Sequence, residues 1–132
     1  MVEWRIFTAV FLTVALIQIV KSFWSASKKE KVGLKSVWVD GGVVSAHSGA
    51  VAALCLSILL VEGLSNLFFV CLIFSIIVIR DAVGVRKIAR ENAKILNRKF
   101  RLKREVNEGH SFMEILRGVV VGLVVAFLVI GA

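Results

Sequence analysis

The sequence predicts an all-α membrane protein: a polytopic bundle of about four transmembrane helices, with a basic amphipathic helix on its cytoplasmic side. Three observations carry that reading. Hydrophobic residues make up 58% of a 132-residue chain with a mean hydropathy of +0.88. Soluble domains run at roughly 45–50% apolar, so the excess needs lipid as a second apolar solvent. The chain contains no proline, which lets long apolar runs stay helical from end to end. Its charges fall between those runs, leaving stretches that approach the roughly 30 Å thickness of the hydrocarbon core. At this length the chain is one domain, residues 1–132.

The first span is read over residues 4–24, with Trp4 and Trp24 at the two interfaces. A secretory signal peptide cleaved near Ser25-Ala26-Ser27 is the competing reading. Against it stand a barely basic start and Lys21, which closes the apolar run before the small residues. Residues 25–42 form a polar loop holding Lys28, Lys29, Lys31 and Lys35. The second span, 43–61, carries Ser45, His47 and Ser48 in its first turn. Glu62-Gly63-Leu64-Ser65-Asn66 makes a tight connection to the third span, 64–80. A second basic loop, 81–111, follows. Within it Lys87 to Glu108 is helix-prone, with Ile88, Ile95, Leu102 and Val106 at helical spacing among arginines and lysines. Such a helix either lies on the membrane surface or packs on the protein's own loops. The last span is 112–131. Cys55 and Cys71 sit inside apolar runs and read as small buried hydrophobes, with no metal-type spacing.

Topology follows from the basic residues. Lys21 to Asp40 carries five and Arg80 to Arg117 carries eleven, and in a four-span chain both segments fall on one face. The positive-inside rule puts them in the cytoplasm and both termini outside, in a bacterial or organellar inner membrane. The net charge of +8 then faces anionic lipid headgroups and substrate phosphates rather than nucleic acid.

The polar residues at the span ends gather on that same face. Gln18 and Lys21 close the first span, and Ser45, His47 and Ser48 open the second. Arg80 and Asp81 close the third, and His110 and Glu114 open the fourth. Ionisable groups near a bilayer are costly and tend to be functional. That loop-flanking residues are polar anyway accounts for the lysines, but less well for both histidines sharing one face. Two histidines among cations suit phosphate chemistry. One imidazole attacks phosphorus, a second protonates the leaving oxygen, and the cations neutralise the equatorial oxygens. Glu114 lies four residues after His110, on the same helix face, where it would orient the ring; a metal half-site or a plain hydrogen bond fits the pair equally. Arg80 and Asp81 fit either a structural ion pair or part of the pocket, and no second ligand marks Asp81 as a metal site.

Several pieces of this sequence, in order, resemble one family. They are Gly41-Gly42-Val43-Val44-Ser45-Ala46-His47-Ser48, Asp81-Ala82-Val83-Gly84-Val85-Arg86, Leu96-Asn97 and Gly109-His110-Ser111-Phe112-Met113-Glu114, followed by Gly118 and Gly122. They look like the divergent branch of the type 2 phosphatidic acid phosphatase superfamily, also called acid phosphatase/vanadium-dependent haloperoxidase-related. The resemblance runs from about Gln18 to the C-terminus. It implies His110 as nucleophile, Glu114 as its orienting acid and Arg104 as a phosphate ligand, from the third family motif. Val44-Ser45-Ala46-His47 is similar to the second motif and implies Ser45 as a phosphate contact and His47 as general acid. Lys21 matches the lysine of the first motif, with Lys28-Lys29 where Arg-Pro usually stands. Lys21, Lys28 and Arg86 are thereby implied as further phosphate-binding residues. The chain departs from the family pattern at Val44, where proline is usual, at Lys103, where serine is usual, and at Glu114, where aspartate is usual.

The activity so implied is a membrane-embedded phosphatase hydrolysing a lipid phosphate or pyrophosphate through a phosphohistidine, without metal or cofactor. Two other classes stay open. One is a non-catalytic membrane protein whose degenerate phosphate site binds anionic lipid or a partner; the other is a small transporter or channel subunit. The superfamily core commonly has six helices and this chain has room for four, so a pared-down bundle or a homodimer would close the site.

Overall fold

The computed structural model describes residues 2–27, 43–102 and 111–131. They form five helices and, among the described residues, no strand: α1 Val2–Ser27, α2 Ala46–Glu62, α3 Asn66–Val83, α4 Val85–Lys99 and α5 Phe112–Ile130. The protein is an all-α membrane bundle. α1, α5 and the stretch containing α3 are long and apolar enough to cross a bilayer. α2 has 17 residues, about 26 Å of helix, and is the shorter apolar element around which the others pack.

Local sequence sets the helix ends. Ser45 caps α2 by accepting a hydrogen bond from the Ser48 N–H, and Gly63, at φ 68°, ends it by donating to the Leu59 carbonyl. Ser65, two residues after Gly63, caps α3 by accepting a hydrogen bond from the Phe68 N–H, so the reversal between α2 and α3 is short. Ser111 and Glu114 form a reciprocal capping box at the start of α5. Gly84 joins α3 to α4 without a break in hydrogen bonding: its N–H donates to Arg80 O at 2.8 Å, and Ile88 N–H donates to Gly84 O at 3.2 Å.

The basic helix expected over 87–108 stops at Lys99. Arg101 takes a left-handed φ of 51°. Leu102 N–H reaches back to Asn97 O at 2.9 Å, and Arg101 N–H to Arg98 O at 3.5 Å. That is the pairing of a Schellman cap, with arginine in the position glycine usually fills. Residues 103–110, including Val106, lie outside the described residues.

Close packing within the bundle depends on small residues. α5 lies against α2 more extensively than any other pair of elements, and the two run parallel. A Cβ at Gly118 would overlap Ser48 Oγ and the Ser45 carbonyl oxygen, and one at Gly122 would overlap the Gly49 carbonyl oxygen. The seam on α5 continues to the fully buried Ala126, facing an α2 whose Ser48, Gly49, Ala52, Ala53 and Ser57 are buried. Without a hydrophobic driving force between helices in lipid, this backbone-to-backbone approach is what draws transmembrane helices together.

α1 runs antiparallel to both. Its Ile17 and Thr13 bracket Gly49, with Ile17 Cδ1 2.5 Å and Thr13 Cγ2 3.2 Å from where a Cβ would stand. At its other end Arg5 donates to Val129 O at 2.8 Å, near the last turn of α5. α3 also runs antiparallel to α2, tied by Ser75 Oγ donating to Val51 O at 3.3 Å. Ile58, Phe68 and Cys71 build an apolar cluster with Ile6, Leu54, Cys55 and Leu59. Outward-facing Phe7, Phe11, Ile73, Ile76 and Ile77 are exposed on the bundle, as side chains solvated by lipid should be.

Candidate functional site

The alternating helix directions bring four helix ends to one end of the bundle: the last turns of α1 and α3 and the first turns of α2 and α5. The chain's polar groups concentrate there. Ile17 touches the Gly49 position, so Lys21, one turn further along α1, lies level with Ser45, one turn earlier in the antiparallel α2. Ser75 bonds to Val51, so Arg80 and Asp81, a further turn and a half along α3, reach the same level. Arg80 and Asp81 are both exposed, Lys21 is half-buried and His47 is exposed.

The turn that presents His47 is held from α5 by three hydrogen bonds. Ser45 N–H donates to Glu114 O at 2.9 Å. Ser48 Oγ donates to Ile115 O at 3.0 Å, and is also within 3.1 Å of Ser45 O. Arg117 Nη1 donates to Val43 O at 3.2 Å. Proline would stiffen this turn by fixing φ; with Val44 in its place, the contacts from α5 supply the restraint. Gly118 makes them possible, since only a residue without a side chain lets the two backbones come this close.

Ser45 is fully buried, and its hydroxyl oxygen is the cap acceptor for Ser48 N–H at 3.4 Å. Glu114 is half-buried; its carboxylate accepts from Ser111 N–H at 3.3 Å, closing the capping box. Arg86 lies on α4, beyond the joint at Gly84. Lys28, Arg104 and His110 lie outside the described residues. Of those described, Lys21, Ser45, His47, Glu114, Arg80 and Asp81 come to one end of the bundle, with the start of α2 aimed into it, while Arg86 lies beyond it on α4. A helix N-terminus carries a partial positive charge suited to an anion, and Lys21 and Arg117 add full charges nearby. Among the described residues no three His, Cys, Asp or Glu side chains gather as a metal would need.

Reasoning from sequence placed Arg117 only among the charges that set topology. Its position three residues after Glu114 puts both on one face of α5, which was signal enough to include it. What could not be read is its partner, the Val43 carbonyl, 74 residues away in sequence.

The sequence pattern of the Divergent PAP2 family matches residues 2–125. The chain is 42% identical over 84 residues to "Uncharacterized membrane protein YuiD" of Bacillus subtilis (strain 168), a match covering 62% of this chain and 53% of that relative. The matched part is thus about half of that relative's length. No solved structure matches.

Proposed function

This chain belongs to the Divergent PAP2 family, a membrane family related to phosphatases, and from that membership we propose that it hydrolyses a lipid phosphate or pyrophosphate at the membrane face carrying its basic loops, the cytoplasmic one. The observation that supports this most is the arrival of Lys21, the Ser45–Ser48 turn and Glu114 at one end of the bundle, from three different helices.

In this reading His110 attacks phosphorus through a ring nitrogen and a phosphorus–nitrogen bond forms. The bond from phosphorus to the leaving oxygen breaks, and His47 gives that oxygen its proton. Water, deprotonated by the now neutral His47, then attacks the phosphohistidine and releases inorganic phosphate. Glu114 balances the imidazolium that develops on His110. Lys21, Lys28, Arg86 and Arg104 neutralise charge on the phosphoryl oxygens. Ser45, buried as a helix cap, contributes by fixing the turn that aims the α2 amides.

A second reading rests on the same turn. Val44 in place of proline and Lys28-Lys29 in place of Arg-Pro favour a site that binds a phosphorylated lipid headgroup without turning it over, since lysine lacks the bidentate fork of arginine. Phosphate release across a panel of short-chain lipid phosphates and pyrophosphates decides between them. The phosphatase reading expects release by the wild-type protein, none by His110→Ala, and a trapped phosphoenzyme that disappears in the same variant. Binding without release identifies the second reading. Full activity in His110→Ala would refute the mechanism, as would activity lost on chelation and restored by a metal.

A further inference from the structure

α4 is the one described helix that packs against a single neighbour, and that neighbour is α3, to which it is covalently joined. Its sequence is nevertheless built to bury one side. At about 100° per residue, Ile88, Ile95 and Leu96 fall on one face. Arg90, half-buried, and Lys94 lie across the helix from that face, and Arg98 flanks it. Ile88 is 60% exposed, Ile95 59% and Leu96 50%, and Phe100, just past the helix, is 61% exposed. Asn92 and Lys99 also fall toward the apolar side; a lysine there can lay its aliphatic stem on an apolar surface and keep its ammonium in the headgroups.

Two features say what covers this face. The first is charge. Residues 85–102 hold seven cations, Arg86, Lys87, Arg90, Lys94, Arg98, Lys99 and Arg101, against the single acid Glu91. The occupant must be apolar in depth and anionic at its edge, which describes the surface of a bilayer containing anionic phospholipid. The second is position. α4 begins two residues after Val83, the last residue of an apolar span, with only Gly84 between, so its first turn already stands at the membrane interface. Gly84 also gives the joint its most yielding residue.

We propose that α4 is an interfacial anchor: its hydrogen bonding runs on from α3 through Gly84, and in the bilayer the chain bends at that joint so that α4 lies in the headgroup layer, its Ile88–Ile95–Leu96 face in the acyl boundary and its arginines and lysines on anionic phospholipid. This surface is independent of the phosphatase reading, and it would operate equally in a protein that turns nothing over.

The test uses the full chain in vesicles, with Cys55 and Cys71 replaced by alanine and a single spin label at Ile88, Lys94, Ile95 or Arg98. Accessibility to oxygen, which concentrates in lipid, is compared with accessibility to a water-soluble nickel chelate. Vesicles of neutral phosphatidylcholine are compared with vesicles containing about one-third phosphatidylglycerol. With the anionic lipid, labels at 88 and 95 should become oxygen-accessible and nickel-protected, while those at 94 and 98 stay in water. High salt or neutral vesicles should reverse this, and each of Lys94→Gln and Arg98→Gln, read with the label at 88 or 95, should lower the docked-to-undocked ratio about fivefold. Labels at 88 and 95 in water under all conditions would overturn the proposal. So would labels shielded from both reagents, which would mean that a second copy or another protein covers the face. Lipid burial of 88 and 95 that ignores headgroup charge would also overturn the electrostatic assignment.

Discussion

Replacing Gly118 by alanine should open the seam on which the polar end of the bundle is built. The new Cβ would overlap Ser48 Oγ and the Ser45 carbonyl oxygen, and would stand 3.2 Å from the Ser45 carbonyl carbon. A hydroxyl can rotate away, but a backbone carbonyl in a capped first turn cannot. α5 must therefore back off α2 by roughly 1 Å to regain ordinary van der Waals distance. A gap of that size forfeits about a quarter to a half of the dispersion energy of each atom pair along the seam. It also stretches the 2.9 Å Ser45 N–H to Glu114 O bond and the 3.0 Å Ser48 Oγ to Ile115 O bond beyond useful length. Overpacking costs about 1–3 kcal/mol and interhelical hydrogen bonds in a bilayer average about 0.6 kcal/mol each, so the expected loss is about 2–4 kcal/mol. Reversible unfolding in bicelles, by detergent titration or steric trapping, measures it directly. Val120→Ala, on the exposed side of the same helix, should change stability by less than about 0.5 kcal/mol. A Gly118→Ala protein as stable as the wild type would refute the reasoning, because the two backbones could not then be as close as the seam requires.

Three further outcomes follow from the same packing. Ser48→Ala removes the hydroxyl that bridges to Ile115 O and Ser45 O and should cost about 1 kcal/mol in the same unfolding measurement. Ser57→Ala should be neutral or stabilising by up to about 1 kcal/mol, because the Ser57 hydroxyl is fully buried without a hydrogen-bond partner; a large destabilisation would contradict this. Glu114→Gln keeps the capping box, which glutamine also forms, so stability should hold within about 0.5 kcal/mol while phosphate release falls at least tenfold. Equal losses of stability and rate would assign Glu114 a structural role alone.

The membrane bundle was legible in the chain because the signals that specify it are local. Apolar runs bounded by charge, serines at helix starts and glycine after α2 each act over a few residues, and none needs a distant partner. The amphipathic pattern of α4 was equally plain. Where that helix stops was not: its end rests on a left-handed Arg101 closing a Schellman cap, a conformation few sequences with arginine at that place would announce.

By itself, then, the sequence determined that this chain would lie in lipid, as helices, with its cations and its polar span ends divided from its apolar length, because backbone satisfaction in a bilayer allows only helices or closed barrels and continuous apolar runs of this length suit helices. Tertiary structure alone decided which helix lies at the centre. α2 is the shortest of the apolar helices and carries alanine, glycine and serine where its neighbours carry phenylalanine and isoleucine. It falls short of its neighbours in length, yet those small side chains let α1, α3 and α5 close upon it. Tertiary structure also decided what Ser45, Ser48 and Arg117 do, since each gains its role from a backbone group far off in the sequence, 67 to 74 residues away for Ser48 and Arg117. Hydrogen bonds of that kind depend on how near two helices come, and the approach is set by the absence of a side chain at Gly118 and Gly122, which composition counts only as glycine.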